Sequence, residues 1–455
     1  MLRANSKLRQ CLGQEGEDFI EHAAAAVQRL LPHVQVTAWK EGPWLKPQCV
    51  WTSAQRTEVR ITIAVGSQLD ADARSLTATV KRRRAAAGGA ATATIDLREH
   101  NICALIALRI SQVMERRPVS ADGGASIRAI RDAFDEFVVA SHLQAHHKLK
   151  LPVTSILGAI HTLSEQSYEN KALTFGCILD PEESGRQAAA NFPSDFLRSK
   201  KYKALSDGFR TAYVVSTEGR VFDFVDLDRY EQEPLTEKHY FPDWAEPIAR
   251  ASRKGRCGIA LSRQGDVLVF DKGTLRFTYR YGRWQYWNHA QLVKLLRDRA
   301  RAQRVPKDIL GRVVGAIYRA ALDVSFRRSG GLFVILHNRE NLHQVVRPGD
   351  ALADQDRSKT DSEFDQVLDG HTIQSLPRAV TVELASLDGA VVLENSGGIL
   401  AYGVVLKPRR SGRLRGTEGS RTKAAIGASN YGLAVKISSD GDISVYYDGT
   451  ELIRV

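Results

Sequence analysis

The 455-residue sequence lacks any run approaching the roughly 18 apolar residues that a membrane span needs. Its first ten residues, MLRANSKLRQ, contain no apolar core of the kind a signal peptide carries. Five scattered cysteines (Cys11, Cys49, Cys103, Cys177 and Cys257) make an odd count with no C-x-x-C pair. A disulfide framework and a cysteine zinc site are therefore not expected, and a cytoplasmic protein is. Long low-complexity stretches are absent too. With 43% hydrophobic and 25% charged residues the composition is that of a globular protein of two to four domains. What the chain does have is positive charge: 64 Lys and Arg against 52 Asp and Glu, a net +12. That excess favours polyanionic partners, meaning nucleic acid, nucleotides or acidic lipid.

The pattern of apolar residues predicts an α+β N-terminal domain over residues 1–148. A helix is expected at 14–32, strands at Val34–Trp39 and Glu58–Val65, and helices at about 100–115 and 125–148. Between them, KRRRAAAGGAATA at 81–93 reads as a basic loop. His142, His146 and His147 close the second long helix. An i, i+4 histidine pair can bind a metal from one helix face. No carboxylate or thiolate stands nearby at ligand spacing, so a surface cluster is the expectation.

An internal repeat carries the most information. Gly258–Thr274, GIALSRQGDVLVFDKGT, parallels Gly432–Thr450, GLAVKISSDGDISVYYDGT. Each reads as a strand, a Gly-Asp turn, a second strand and a Gly-Thr step. Upstream, 206–225 parallels 387–405, each with Asp-Gly, an apolar strand, a Gly turn and another strand. Further upstream each unit has an amphipathic helix and then a buried strand: VTSILGAIHTLSEQ with ALTFGCIL, and ILGRVVGAIYRAAL with GGLFVILH. The expected architecture is therefore α/β (α+β), with mixed sheets in two tandem modules at 150–288 and 306–455. A basic helical linker at 289–305 joins them. The segment RFTYRYGRWQYW (276–287) reads as an amphipathic strand with a packed face, ahead of a base-stacking surface.

Chemistry concentrates in the second module. Asp388-Gly389-Ala390 opens a strand, where a carboxylate can hold a metal or orient a ribose. Gly419-Ser420-Arg421-Thr422-Lys423-Ala424-Ala425-Ile426-Gly427-Ala428-Ser429 places hydroxyls and cations on a turn leading into a helix. Cations beside free N–H groups at a helix start make an anion cradle. From Lys407 to Lys423 there are seven Lys or Arg against one acid, Glu418.

In order and spacing these motifs resemble the catalytic domain of diadenylate cyclases, which condense two ATP into cyclic di-AMP. That family carries Asp-Gly-Ala at a strand start, then Arg-His-Arg followed by Ala-Ala-x-Gly-x-Ser. The upstream Gly330–Ile335 and the ending Gly441–Val445 resemble the family's central strand and terminal hairpin. The resemblance implies catalytic roles for Asp388, Arg421, Thr422 and Lys423. It implies nucleotide contacts from Gly389, Ala390, Gly419, Ser420, Ala424, Gly427 and Ser429, and a Mg²⁺ or Mn²⁺ ion at Asp388 if the site is active. The chain also departs from the family. Thr422 stands for the motif His, Lys423 for the second Arg, Leu387 for a frequent His, and Asn430 for a frequent acid. Thr422 cannot carry positive charge or shuttle a proton, and lysine loses the bidentate fork of arginine. The first module has Asp207-Gly208-Phe209 and a basic loop at Arg250–Gly255 without the downstream motif, so no catalysis is expected there.

Three functions follow. The leading expectation is a degenerate, sensor-type member that binds an adenine nucleotide or cyclic dinucleotide in bacterial nucleotide signalling or antiviral defence. No nuclease, protease or membrane motif is evident, so such a sensor implies an effector protein partner. The alternatives are an active diadenylate cyclase and a nucleic-acid-binding scaffold.

Overall fold

A computed structural model describes residues 24–28, 30–31, 34–37, 39–65, 74–82, 94–115, 134–182, 190–352, 368, 370–407 and 419–455. The fold is mixed α+β, and the chain divides into two compact units. Of the described residues, those up to Arg82, those from Thr94 to His239 and Trp244–Trp287 form unit 1, while Tyr240–Asp243 and those from Asn288 to Val455 form unit 2.

Unit 1 opens with an antiparallel sheet of β1 (Val34–Val36), β2 (Lys40–Pro43), β3 (Gln48–Trp51), β4 (Glu58–Val65) and β5 (Arg74–Arg82). Its order is β1-β5-β4-β3, with β2 also on β5. Along β4, Val59 and Ile61 are buried on either side of the exposed Arg60, and from Ile61 to Ala64 every residue is buried, so the strand alternates at its start and is covered on both faces further on. Helices α1 (Leu97–Glu115) and α2 (Phe134–His147) follow. Lys81 and Arg82 belong to β5, so the expected basic loop begins later than its sequence reads, and 83–93 lies outside the described residues. The same holds for the expected helical residues 14–23 and 125–133.

Next come α3 (Val153–Ser164), the short hairpin β6 (Ser167–Tyr168) and β7 (Lys171–Ala172), then β8 (Phe175–Asp180), β9 (Ala190–Asn191), β10 (Thr211–Ser216) and β11 (Arg220–Asp226). They are followed by helix α4 (Glu246–Ala251) and by β12 (Cys257–Leu261), β13 (Val267–Asp271), β14 (Thr274–Arg280) and β15 (Arg283–Tyr286). All residues of β12 and β13 are buried, as continuous apolar runs in a covered sheet should be. One buried apolar cluster in this unit reaches from Val27 and Ile61 through Ile156 to Trp284. The 276–287 segment is the β14–β15 hairpin, and Phe277, Trp284, Tyr286 and Trp287 are buried in it. Trp287 donates its indole N–H to Thr278 Oγ1 at 3.0 Å. Those rings are core, not a stacking surface.

Unit 2 begins with α5 (His289–Ala302), capped by the Asn288 side chain, and α6 (Leu310–Arg327). Its sheet holds β16 (Gly331–Leu336), β17 (Ala390–Leu393), β18 (Ile399–Val404), β19 (Gly432–Ile437), β20 (Ile443–Tyr447) and β21 (Thr450–Arg454). Helices α7 (Arg378–Ser386) and α8 (Ser420–Ala428) lie between strands in the chain. Leu310, Val313, Val314, Ile317 and Tyr318 of α6 are buried at helical spacing, and from Ala320 to Phe326 the helix is buried all round.

The two large sheets share one topology. Unit 1 reads β11-β10-β8-β12-β13-β14 and unit 2 reads β18-β17-β16-β19-β20-β21. In chain order within each unit that is third, second, first, fourth, fifth, sixth in both. The first and second strands pair in parallel in each. Every other pairing along these six strands is antiparallel in both. β9 and β15 extend the unit 1 sheet at its two edges.

Candidate functional site

Two tight structures form the site in unit 2. The first is the entry to β17. Gly389 holds φ at +131°, and a methyl group there would fall 2.5 Å from the Gly403 carbonyl carbon. Only glycine permits this approach. The Asp388 side chain is thereby held at the strand's start, fully exposed. The second is the start of α8. Gly419 is the N-cap and no side chain caps the helix, so its first amides lack intrahelical partners. Ala425, Ile426, Gly427 and Ala428 form its buried face, packed on β16 and β19. Ser420, Arg421, Thr422 and Lys423 fill the first turn.

A cavity of about 540 Å³ lies between these two features. Asp388, Gly389, Ala390, Ser420, Arg421, Lys423 and Ala424 line it, joined by Leu332, Arg347, Val404, Val405 and Leu406. Of the eleven residues singled out in the sequence, these seven come together on its wall. Arg421 Nη2 lies 3.9 Å from Asp388 Oδ1. Gly330, at φ +72°, leaves room for that guanidinium, since a methyl there would sit 2.4 Å from Arg421 Nη1.

The other four have different placements. Thr422 Oγ1 accepts a hydrogen bond from Lys436 Nζ at 3.0 Å. Gly419 caps the helix, and Gly427 is on its buried face. Ser429 is buried; its hydroxyl donates to Ile426 O at 2.9 Å and accepts from Gly449 N at 3.0 Å. It ties the helix end to the β20–β21 turn and is not on the cavity wall. Asn430 donates to Ile426 O and Gly427 O, both at 3.0 Å, and so closes the C-terminal end of α8.

Lys436 was missed in the sequence. It is a buried lysine in the middle of a strand whose other residues are all buried. Burial, and after it the Arg454 charge, holds its ammonium below the ordinary lysine range. The readable signal was a lone cation inside an apolar strand, GLAVKI. Lys436 is not among the residues lining the cavity and reaches the first turn of α8 through Thr422.

The corresponding place in unit 1 is chemically closed. Asp207 Oδ1 accepts from three backbone amides of its own turn, Phe209, Arg210 and Thr211, at 2.7–3.0 Å. Burial works against ionisation there, but the amides prevail and hold its carboxyl below the usual range. Arg250 is spent on Glu246 and on the carbonyls of Glu231 and Glu233. Lys254 and Arg256 both pair with Glu233, and Arg253 donates to His239 Nε2 at 2.9 Å.

No family model and no curated protein matches the chain. Solved structures overlap parts of it, among them the following two. A hypothetical membrane spanning protein from Bacillus cereus is 21% identical, with 36% of this chain and 76% of that one covered, at a TM-score of 0.25. DacA from Staphylococcus aureus is 23% identical, with 32% of this chain and 90% of that one covered, at a TM-score of 0.22. No helix among the described residues is long and apolar enough to cross a membrane.

Proposed function

We propose that residues 306–455 bind an adenine nucleotide or a cyclic dinucleotide in the unit 2 cavity, and that the protein is a cytoplasmic sensor of that signal. The observation that carries this reading is one cavity with two chemically distinct walls. Leu332, Val404 and Leu406 offer apolar surface to a base, while Arg421, Lys423 and the uncapped amides of α8 face the phosphates. The volume suits a ligand of nucleotide size. In this reading residues 150–288 are a second copy of the same module whose cations are neutralised internally, so one site per chain binds. Binding without turnover is favoured at position 422: a threonine held by Lys436 can neither gain a charge nor shuttle a proton there. A sensor of this kind passes its signal to an effector protein, as in bacterial nucleotide signalling or antiviral defence.

The second reading, an active diadenylate cyclase, draws on Asp388. Its carboxylate is fully exposed on the cavity wall, with Arg421 no nearer than 3.9 Å. One exposed carboxylate together with phosphate oxygens is a donor set that Mg²⁺ or Mn²⁺ accepts. Such an ion would offset phosphate charge and activate an attacking hydroxyl. Incubation with ATP and Mn²⁺, read for cyclic di-AMP, separates the two. The sensor reading expects no product; product that disappears in Asp388→Asn would replace it with the cyclase.

A further inference from the structure

Unit 1 gathers three side chains that lie far apart in the sequence. His146 and His147 end α2, and Asp271 ends β13. His146 Nε2 is 3.5 Å from Asp271 Oδ2, and His147 Nε2 is 3.6 Å from Asp271 Oδ1. The ligand atoms of all three lie within 4.8 Å of one another. These separations are long for a hydrogen bond, which centres near about 2.9 Å. They are close to the edge of a tetrahedron whose corners stand about 2.1 Å from a central ion, roughly 3.4 Å.

The tautomer of His147 follows from its other nitrogen. Nδ1 lies 3.0 Å from the carbonyl oxygen of Gly255. A carbonyl only accepts, so Nδ1 carries the proton and donates it. In the neutral ring Nε2 then presents a bare lone pair, the arrangement by which proteins orient a metal-binding imidazole. That Nε2 is buried without a hydrogen-bond partner, and so is Asp271 Oδ1 opposite it. The two side chains are 5% and 4% exposed. Two buried acceptors facing each other are unfavourable unless a proton or a metal cation stands between them, and 3.6 Å is too long for a proton-bridged pair. Arg98 Nη2 holds the other carboxylate oxygen, Oδ2, at 3.1 Å and leaves Oδ1 facing His147. His142, one turn back on α2, lies buried with its ring parallel to that of His146 at 5.9 Å. These two histidines help line a cavity of about 320 Å³ beside the cluster. The histidine group is therefore not the surface cluster that its sequence reads as, and the missing carboxylate is Asp271.

We propose that His146 Nε2, His147 Nε2 and the Asp271 carboxylate form a binding site for a divalent transition ion, Zn²⁺ by donor type, with a fourth position open to water. Two imidazoles and one carboxylate suit a borderline ion better than Mg²⁺ or Ca²⁺, which take oxygen donors.

The test uses the full-length protein stripped with a chelator and titrated with Zn²⁺ by calorimetry, with Co²⁺ absorption as a geometry probe. One equivalent of Zn²⁺ should bind, with intense tetrahedral Co²⁺ bands. His146→Ala, at the exposed edge of the cluster, should weaken binding at least about 10-fold while the unfolding midpoint of the metal-free protein stays put. His147→Ala should weaken it about 100-fold or more. Failure of the wild type to bind one equivalent, or affinity unchanged in both variants, overturns the site.

Discussion

Lys436 Nζ donates to Thr422 Oγ1 across 3.0 Å, joining a buried strand cation to the first turn of α8. The pair fixes the ammonium against the helix turn that also carries Arg421 and Lys423. Lys436→Met should keep the fold, since it removes a charge held below its ordinary range by burial. The same change should weaken nucleotide binding about 10-fold, measured by calorimetry. Unchanged affinity would remove Lys436 from the site.

The same lysine predicts a pH dependence. Its folded pKa is lowered by burial first and by Arg454 next. A bound phosphate favours the charged form and raises that pKa, so binding takes up a proton. Affinity is therefore full below the depressed pKa and falls as pH rises through it, before the ordinary lysine range near about 10.4 is reached. Calorimetry in buffers of different ionisation enthalpy should record proton uptake as pH rises through that depressed pKa. The uptake should vanish in Lys436→Met; uptake that persists there assigns the effect elsewhere.

Gly389 and Gly419 make opposite steric predictions. Gly389→Ala forces a methyl 2.5 Å from the Gly403 carbonyl carbon at φ +131° and should cost about 2–4 kcal/mol in urea unfolding. Gly419 is at φ −64° with nothing within 4 Å of a methyl group. Gly419→Ala should stay within about 1 kcal/mol of the parent. Equal effects at the two positions would contradict the geometry of the β17 entry.

A partly buried ion pair ties α6 to α7 in unit 2. Arg378 donates through Nε to Asp323 Oδ2 at 2.6 Å and through Nη2 to Asp323 Oδ1 at 2.9 Å, and Nη2 also reaches Phe241 O at 2.7 Å. Asp323→Ala leaves the guanidinium without its main partner and should destabilise by about 3–5 kcal/mol. Arg378→Lys loses the fork and should cost less, but measurably, in the same unfolding experiment. A neutral Asp323→Ala would show the pair to be dispensable.

The sequence made the repeated topology legible through its punctuation. Gly-Asp turns and Asp-Gly strand entries recur in order because hairpins need positive φ at fixed places, as at Gly265 and Gly441. The site was legible where its residues cluster in two short motifs, Asp388–Ala390 and Ser420–Ala424. Ser429 lies off the cavity wall because a motif gives spacing, whereas the direction of a side chain at the end of a short helix is set by packing. Lys436 and Asp271 stayed hidden for a different reason. Each meets its partners through strand register and helix packing, and no local spacing encodes that. The aromatic hairpin 276–287 shows the same limit, since alternation cannot say which face a neighbouring layer covers.

The central claim is that the cavity beside α8 binds an adenine nucleotide through its first-turn cations. The most direct test is calorimetric titration of the full-length protein with ATP and with cyclic di-AMP, repeated on the Arg421→Ala, Lys423→Ala double variant. Saturable binding of at least one of these ligands at one site per chain is expected, weakened at least about 30-fold in the variant with the unfolding midpoint unchanged. No binding of either ligand, or equal affinity in the variant, would contradict it.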